Sequence, residues 1–243
     1  MGKNLKRKRR HERLLRSAEI IEFQNPKFDT ERTLPPIKAL NPAQADYLKA
    51  LHKSPQVIVL GPAGTGKTWI AATHAADQLR NRRIDKIILT RPNVPCGRSL
   101  GFFPGSMEDK FATWAQPVAD AIKDRIGKAA FDIAVKNGGI ELVPFEVMRG
   151  RSWKNAFVLL DEAQNCTAAE IKTFLTRIGE DCTVVVNGDV SQCDLTVGSG
   201  LRVVVDMIRQ QDLPVPVIEF SQADIVRSGV CAMWVNAFET AKL

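Results

Sequence analysis

The sequence predicts an α/β domain built on a parallel β-sheet with helices on both faces. Five short apolar runs rich in β-branched residues have the length and composition of buried strands. Segments with helix-forming composition separate these runs, and a glycine-rich loop joins the first run to the helix after it. Strands that alternate with helices form parallel sheets, because each helix carries the chain back across one face of the sheet.

The predicted elements follow in order along the chain. The core strands are predicted at residues 56–60, 86–90, 157–161, 183–187 and 215–220. Helices are predicted at residues 42–52, 67–81, 107–125, 127–136, 168–178 and 200–211. A short edge strand is a further expectation at Val143–Phe145. The irregular segment 92–117 contains several prolines and glycines, which predicts a functional loop over the carboxyl-terminal edge of the sheet.

The glycine-rich loop after the first strand fits the phosphate-binding pattern G-x-x-x-x-G-K-[ST]. It reads Gly61-Pro62-Ala63-Gly64-Thr65-Gly66-Lys67-Thr68, and the alanine-rich helix begins with Trp69. Glycines let several N–H groups converge on one anion, and the helix N-terminus adds its positive dipole end. Lys67 is expected to reach the β- and γ-phosphates and the Thr68 hydroxyl to ligate Mg²⁺. The alternative is a chance glycine-rich turn, which the strand and helix on either side make less favourable.

Two carboxylates end the third predicted strand. Phe157-Val158-Leu159-Leu160 is followed by Asp161 and Glu162. At the end of a buried strand, Asp161 is expected to hold Mg²⁺ and Glu162 to polarise the attacking water. The alternative is an ordinary strand followed by a solvated acidic turn.

A polar turn follows the fourth predicted strand. Residues 188–194 read Gly-Asp-Val-Ser-Gln-Cys-Asp. Gln192 in this turn is a candidate contact for the γ-phosphate. The alternative is a plain β-turn, since Asn-Gly-Asp is strong turn chemistry. Both interpretations can hold together, because switch residues commonly lie on turns.

Several segments resemble a known family. The Asp161-Glu162-Ala163-Gln164 box, the turn at 188–194 and Asn41-Pro42-Ala43-Gln44 resemble motifs of superfamily 1 helicases. More specifically, the chain resembles the PhoH-type ATPases over roughly residues 40–240. The segments that carry this closer resemblance are Leu89–Pro92, Leu100–Gly105, Val147–Arg151, Leu160–Asn165 and Phe174–Gly179.

The resemblance implies a RecA-like P-loop fold with sheet order 5-1-4-3-2, and it implies ATP and Mg²⁺ as ligands. Gln44 would contact the adenine edge and Gln192 would sense the γ-phosphate. Arg227 matches a late arginine of the family and would act as an arginine finger; a surface ion pair or a helix-end cation is the alternative. Under the resemblance, the nucleotide site comprises Gln44, Gly61, Ala63, Gly64, Thr65, Gly66, Lys67, Thr68 and Trp69.

The chain departs from the family pattern at two places. Ser228-Gly229 follows Arg227 where the family often has a histidine and a proline, and this difference bears on where the local helix starts and on the reach of Arg227. Trp69 stands where the family more often has tyrosine or a smaller residue. We expect this change to alter the packing under the loop more than the chemistry.

The composition limits which class of protein this is and in which cellular compartment we expect it. A hydrophobic fraction of 44% can build a sizeable core, and no apolar run approaches the roughly 18 residues of a membrane span. No apolar segment follows the basic N-terminus, as a secretory signal would require. The five cysteines lack C-x-x-C spacing, which favours a reducing, cytoplasmic location. The three histidines, His11, His52 and His74, are interpreted as surface or helix residues.

The positive charge lies in the first residues. Residues 1–16 hold eight Lys or Arg and one Glu, which equals the whole formal charge of +7. We expect a basic, partly helical tail at 1–24, a proline-containing linker at 25–40 and the ATPase domain at 41–243. A basic arm favours RNA or single-stranded DNA as a partner. The alternative is a solubilising tail without a partner.

Two functions are compatible with these motifs. The first is a motor-type ATPase that binds or remodels RNA or single-stranded DNA. The second is a nucleotide-dependent switch that acts on protein partners without moving a strand; the few aromatic residues, 7% of the chain, favour it. A kinase is less favoured because no acceptor pocket is visible. With one RecA-like domain, the arginine finger must come from within the domain or from a neighbouring subunit, and we therefore expect a homo-oligomer, with a hexameric ring favoured.

Overall fold

The computed structural model describes residues 34–92, 115–145, 148, 150–193, 195, 198–226, 233, 234 and 237. The predicted tail at 1–24, most of the linker, most of the loop at 92–117 and Arg227 lie outside the described residues.

Six parallel strands among the described residues form the sheet. They are β1 (Gln56–Leu60), β2 (Lys86–Thr90), β3 (Ile140–Leu142), β4 (Ala156–Leu160), β5 (Thr183–Gly188) and β6 (Val217–Glu219). Their spatial order is β3-β2-β4-β5-β1-β6, and every pair is parallel. The five predicted core strands therefore take the expected order, and the sheet differs by the additional strand β3 at the edge beside β2.

Six α-helices among the described residues cover the sheet. They are α1 (Pro42–Lys53), α2 (Lys67–Arg80), α3 (Gln116–Ile126), α4 (Lys128–Lys136), α5 (Ala168–Leu175) and α6 (Gly200–Gln210). Each overlaps a predicted helix, and the first half of the helix predicted at 107–125 falls outside the described residues. Among the described residues, no helix combines the length and hydropathy needed to cross a bilayer.

Two apolar layers form the core, one on each face of the sheet. Successive strand residues point to opposite faces, so Val57 and Phe157 lie in one layer and Ile58 and Val158 in the other. The first layer packs against α1 to α4, and the second packs against α5 and α6. The predicted α/β architecture with helices on both faces is confirmed.

The edge strand was predicted at the wrong residues. We expected it at Val143–Phe145, whereas β3 spans Ile140–Leu142. The Val143 N–H makes one further bond to the Leu89 carbonyl, at 2.8 Å. Because β2 ends at Thr90, residues 143–145 have no further strand residues with which to extend the ladder.

Parallel strands bring all carboxyl ends to one edge of the sheet. The loop after β1, the carboxylates after β4 and the turn after β5 therefore meet there, because β5 lies between β1 and β4. Ligands of open α/β sheets bind at this edge.

Candidate active site

The loop after β1 takes a conformation that needs glycine. Gly61, Gly64 and Gly66 all have positive φ angles, of 140°, 88° and 88°. At Gly61 a Cβ would lie 2.6 Å from the Cβ of Phe220, which no real side chain tolerates. Gly66 precedes the first turn of α2 and accepts a bond from the Ile70 N–H at 2.9 Å. The N-terminus of α2 therefore lies at the loop, and the free N–H groups of a helix N-terminus attract anions.

Lys67 lies on the cleft side of this loop. Its ammonium donates to the carbonyls of Gly61, at 2.5 Å, and Pro62, at 2.8 Å. The cation is thus held over the loop's own backbone, at the wall of the cleft. A phosphate in the cleft would lie beside a ready positive charge.

Gln44 braces the loop from behind. Its side chain is 4% exposed, and its amide donates to the Thr65 carbonyl at 3.0 Å and accepts from the Leu40 N–H at 2.8 Å. Asn41 caps α1 by accepting from the Gln44 N–H at 2.8 Å. The adenine contact of Gln44 stays a prediction; the contacts present hold the backbone of the loop.

The carboxyl-terminal segment of the described chain also reaches the loop. The Val226 N–H donates to the Gly64 carbonyl at 2.9 Å. The side-chain amide of Asn41 donates to the Asp224 carbonyl at 3.2 Å. The loop is therefore bonded both to Gln44 of α1 and to Val226, and Asn41 joins these two segments to each other.

Thr68 and Asp161 bring two oxygen ligands together. The Thr68 hydroxyl donates to a carboxylate oxygen of Asp161 at 2.9 Å. Burial, and next the neighbouring Glu162, raise the pKa of Asp161, while the bond from Thr68 opposes this. A buried carboxylate needs a positive partner, and hydroxyl and carboxylate oxygens are the ligands that Mg²⁺ prefers. The donor set therefore fits a magnesium ion.

Glu162 projects from a strained backbone. It is one of few non-glycine residues in the left-handed region, with a φ of 55°. Its carboxylate accepts from the Gln164 amide at 2.6 Å and lies 3.9 Å from the Arg91 guanidinium. Strained residues that the surroundings hold in place are concentrated at functional sites, and this one faces the cleft.

The turn after β5 closes the third side. The Asp189 carboxylate accepts from the N–H and the hydroxyl of Ser191, at 3.0 and 2.6 Å. The Gln192 N–H donates to the Asp189 carbonyl at 3.0 Å, and Gln192 lines the cleft. The turn chemistry and the position at the site are thus both present, as the sequence interpretation allowed. Contact of Gln192 with a γ-phosphate stays a prediction.

These three segments enclose one cleft of about 260 Å³. Its lining residues are Ala63, Gly64, Gly66, Lys67, Thr68, Trp69, Asp161, Glu162, Gly188, Asp189 and Gln192. Most of the expected site residues therefore lie around one cavity. Gly61 and Thr65 shape the loop without lining the cavity, Gln44 lies behind it, and Arg227 lies outside the described residues.

Trp69 corrects one expectation. We expected the indole to change packing under the loop, but Trp69 is 48% exposed and lines the cleft. The first turn of α2 directs this residue outward, because Ile70 and Ala71 are buried in the apolar layer under the sheet. An exposed aromatic face beside a phosphate loop is available to a nucleotide base.

Three further residues of the site were not singled out from the sequence. Gly188 and Asp189 line the cleft, and Gln164 bonds to Glu162 from within the wall. The Oε1 of Gln164 also accepts from the Asp189 N–H at 3.0 Å, which joins the segments after β4 and β5 across 25 residues, so no local pattern reveals this contact.

Comparison with known proteins agrees with this geometry. A family model described as PhoH-like protein matches residues 36–239. The chain belongs to the PhoH-like family. Protein PhoH of Escherichia coli K12 is 43% identical over 225 residues, which is 91% of this chain and 62% of the relative. The PhoH-like protein of Bacillus subtilis is 42% identical over 205 residues, 84% of this chain and 64% of the relative.

The chain thus spans slightly over three fifths of these relatives. Among solved structures, the Pif1 helicase of Candida albicans is similar with a TM-score of 0.36 and 15% identity, over 76% of this chain and 41% of that one. The family membership rests on the family model and on the PhoH relatives.

Proposed function

We propose that the protein binds ATP with Mg²⁺ and hydrolyses it. The observation that carries this proposal is the meeting of three chemically distinct groups around one cleft. The phosphate loop supplies N–H groups and the Lys67 cation, the Thr68 and Asp161 oxygens lie 2.9 Å apart, and Glu162 lies beside them. Together they match what phosphoryl transfer to water requires.

Each group has a separate task. The loop and Lys67 bind the β- and γ-phosphates and stabilise the charge that develops on them. Thr68 and Asp161 would hold Mg²⁺, which neutralises phosphate charge when bound. Glu162 orients a water and accepts its proton as the new bond from water to the γ-phosphorus forms and the bond from that phosphorus to the leaving ADP oxygen breaks. Gln192, from the turn after β5, would contact the γ-phosphate.

Coupling to RNA or single-stranded DNA is the second part of the proposal. The basic segment 1–16 and the helicase-like motifs support it. The alternative is a regulatory switch on protein partners. A homo-oligomer, a hexamer in particular, and a cytoplasmic location stay predictions; light scattering that finds a monomer with and without ATP and Mg²⁺ would contradict the oligomer.

The test is steady-state ATP hydrolysis with and without single-stranded RNA and DNA. Glu162→Gln should lower kcat by at least about 10²-fold, as expected for loss of a catalytic base. Glu180→Gln is the matched control, because it makes the same change at an exposed residue away from the cleft. Activity retained in Glu162→Gln would contradict the assigned base.

Deletion of residues 1–16 separates the two functions. Several-fold stimulation by nucleic acid that weakens on deletion supports the coupled ATPase. Hydrolysis that is indifferent to both polymers favours the regulatory switch.

A further inference from the structure

The side chain of Gln164 joins two walls of the cleft. Gln164 is 2% exposed and belongs to a 3₁₀ turn directly after the carboxylates. Its Nε2 donates to the Glu162 carboxylate at 2.6 Å, and its Oε1 accepts from the Asp189 N–H at 3.0 Å. One amide therefore bonds at the same time to the acidic segment after β4 and to the turn after β5.

The two partners fix the orientation of this amide. A backbone N–H can only donate, so the oxygen of Gln164 must face Asp189. The amide nitrogen then faces the carboxylate oxygens of Glu162, which accept its hydrogen bond. Among side chains of this size, only glutamine offers a donor and an acceptor in this arrangement, so the link depends on residue type as well as shape.

Packing holds Gln164 at both of its ends. The Cys193 thiol donates to the Gln164 carbonyl at 3.3 Å. At Gly188, a Cβ would lie 3.0 Å from both the backbone nitrogen and Oε1 of Gln164, and 2.4 Å from Leu201. The β5 turn thus surrounds Gln164 closely, and a displacement of this turn must move the amide.

We propose that Gln164 is a positioning residue that holds the Glu162 carboxylate in its reactive orientation and couples it to the β5 turn. This inference rests on the proposed function of Glu162. The same turn carries Gln192, whose N–H bonds to the Asp189 carbonyl at 3.0 Å. Gln192 is therefore connected to Glu162 through the backbone of Asp189 and the side chain of Gln164.

Two variants remove different parts of the link. Gln164→Glu keeps an acceptor for the Asp189 N–H but replaces the donor to Glu162 by a repelling carboxylate. Gln164→Met removes both bonds at similar volume. We expect kcat to fall by roughly ten- to hundredfold in both, because small misplacements of a reacting group have effects of that size. The KM for ATP and the Kd of a fluorescent ATP analogue should stay within about twofold, since the loop is unchanged.

A double variant separates positioning from a general structural role. If Gln164 acts only through Glu162, then Gln164→Met should change nothing further in a Glu162→Gln background. Losses that multiply in the double variant would overturn the proposal, as would an unchanged kcat in both single variants.

A measurement on a Glu162 variant tests the link even if both Gln164 variants fail to fold. In Glu162→Ala, the freed Gln164 amide should leave the Asp189 N–H less protected, and its hydrogen exchange by NMR should accelerate several-fold. Unchanged exchange would overturn the link. Because this readout needs no activity, a wild type without hydrolysis would contradict the proposed function alone.

Discussion

Acid should destabilise the domain through one buried histidine. His74 lies in α2, the helix that follows the phosphate loop, and is 3% exposed. Its ring lies 5.0 Å from that of His52 and 5.9 Å from that of Phe157. Burial, and next His52, lower the pKa of His74 from 6.5 to about 4, against the smaller opposing effect of Asp77. The folded protein therefore resists protonation of this ring.

The sign and size of the change in the free energy of unfolding follow from this difference in the pKa of His74 between the folded and unfolded states. Above pH 6.5 the ring is neutral in both states, and between pH 6.5 and about 4 only the unfolded chain takes up the proton. The free energy of unfolding therefore falls as the pH falls through this window, by about 1.4 kcal/mol at about pH 5.5 and about 3 kcal/mol below about pH 4.

Urea unfolding between about pH 7.5 and 4.5 measures this loss. His74→Gln keeps a polar partner for Gln78, whose amide lies 3.1 Å from the ring. In this variant the free energy of unfolding should fall by about 2 to 3 kcal/mol less over this pH range than in the wild type. His52→Gln is the control, because His52 is exposed and lies in the adjacent helix α1; this variant should retain most of the fall in the free energy of unfolding. Equal slopes in wild type and His74→Gln would refute the reasoning.

Three further predictions concern the cleft. Lys67→Ala should weaken a fluorescent ATP analogue by about tenfold or more, since hydrogen bonds from charged groups contribute about 1.5–3 kcal/mol; a titration that finds an unchanged Kd would contradict the role of the cation. Trp69→Ala should weaken ATP by roughly two- to tenfold through lost aromatic contact while leaving inorganic triphosphate unaffected; equal weakening of both ligands would exclude base contact. Gly66→Ala should lower ATP affinity, because the φ of Gly66 is 88° and a Cβ would lie 3.0 Å from the Gln44 amide nitrogen. Wild-type affinity in this variant would show that the loop adapts freely.

The strands and the phosphate loop were predictable because their signals are local. Four or five consecutive apolar residues make a buried strand such as β4 recognisable, and the loop pattern fixes where α2 begins. Parallel pairing then places Asp161 and the turn after β5 at the same edge. The cleft therefore followed from the chain order of its parts.

The features that were missed depend on contacts between distant segments. The burial of His74, which was interpreted as a surface or helix residue, arises from the packing of α2 against β4 and the end of α1. The outward position of Trp69 depends on which face of α2 meets the sheet. The bonds of Gln164 require β4 and β5 to be adjacent. None of these is visible in a short window of sequence.

The hydrogen bonds from Gln44 and Val226 join the phosphate loop both to α1 and to the segment after β6. A displacement of Gln44 or Val226 therefore acts on the backbone of the loop at the cleft. By linkage, a partner that loosens these ties weakens nucleotide binding by the same factor with which nucleotide weakens the partner. A partner that contacts either segment would thereby be thermodynamically coupled to the proposed nucleotide site.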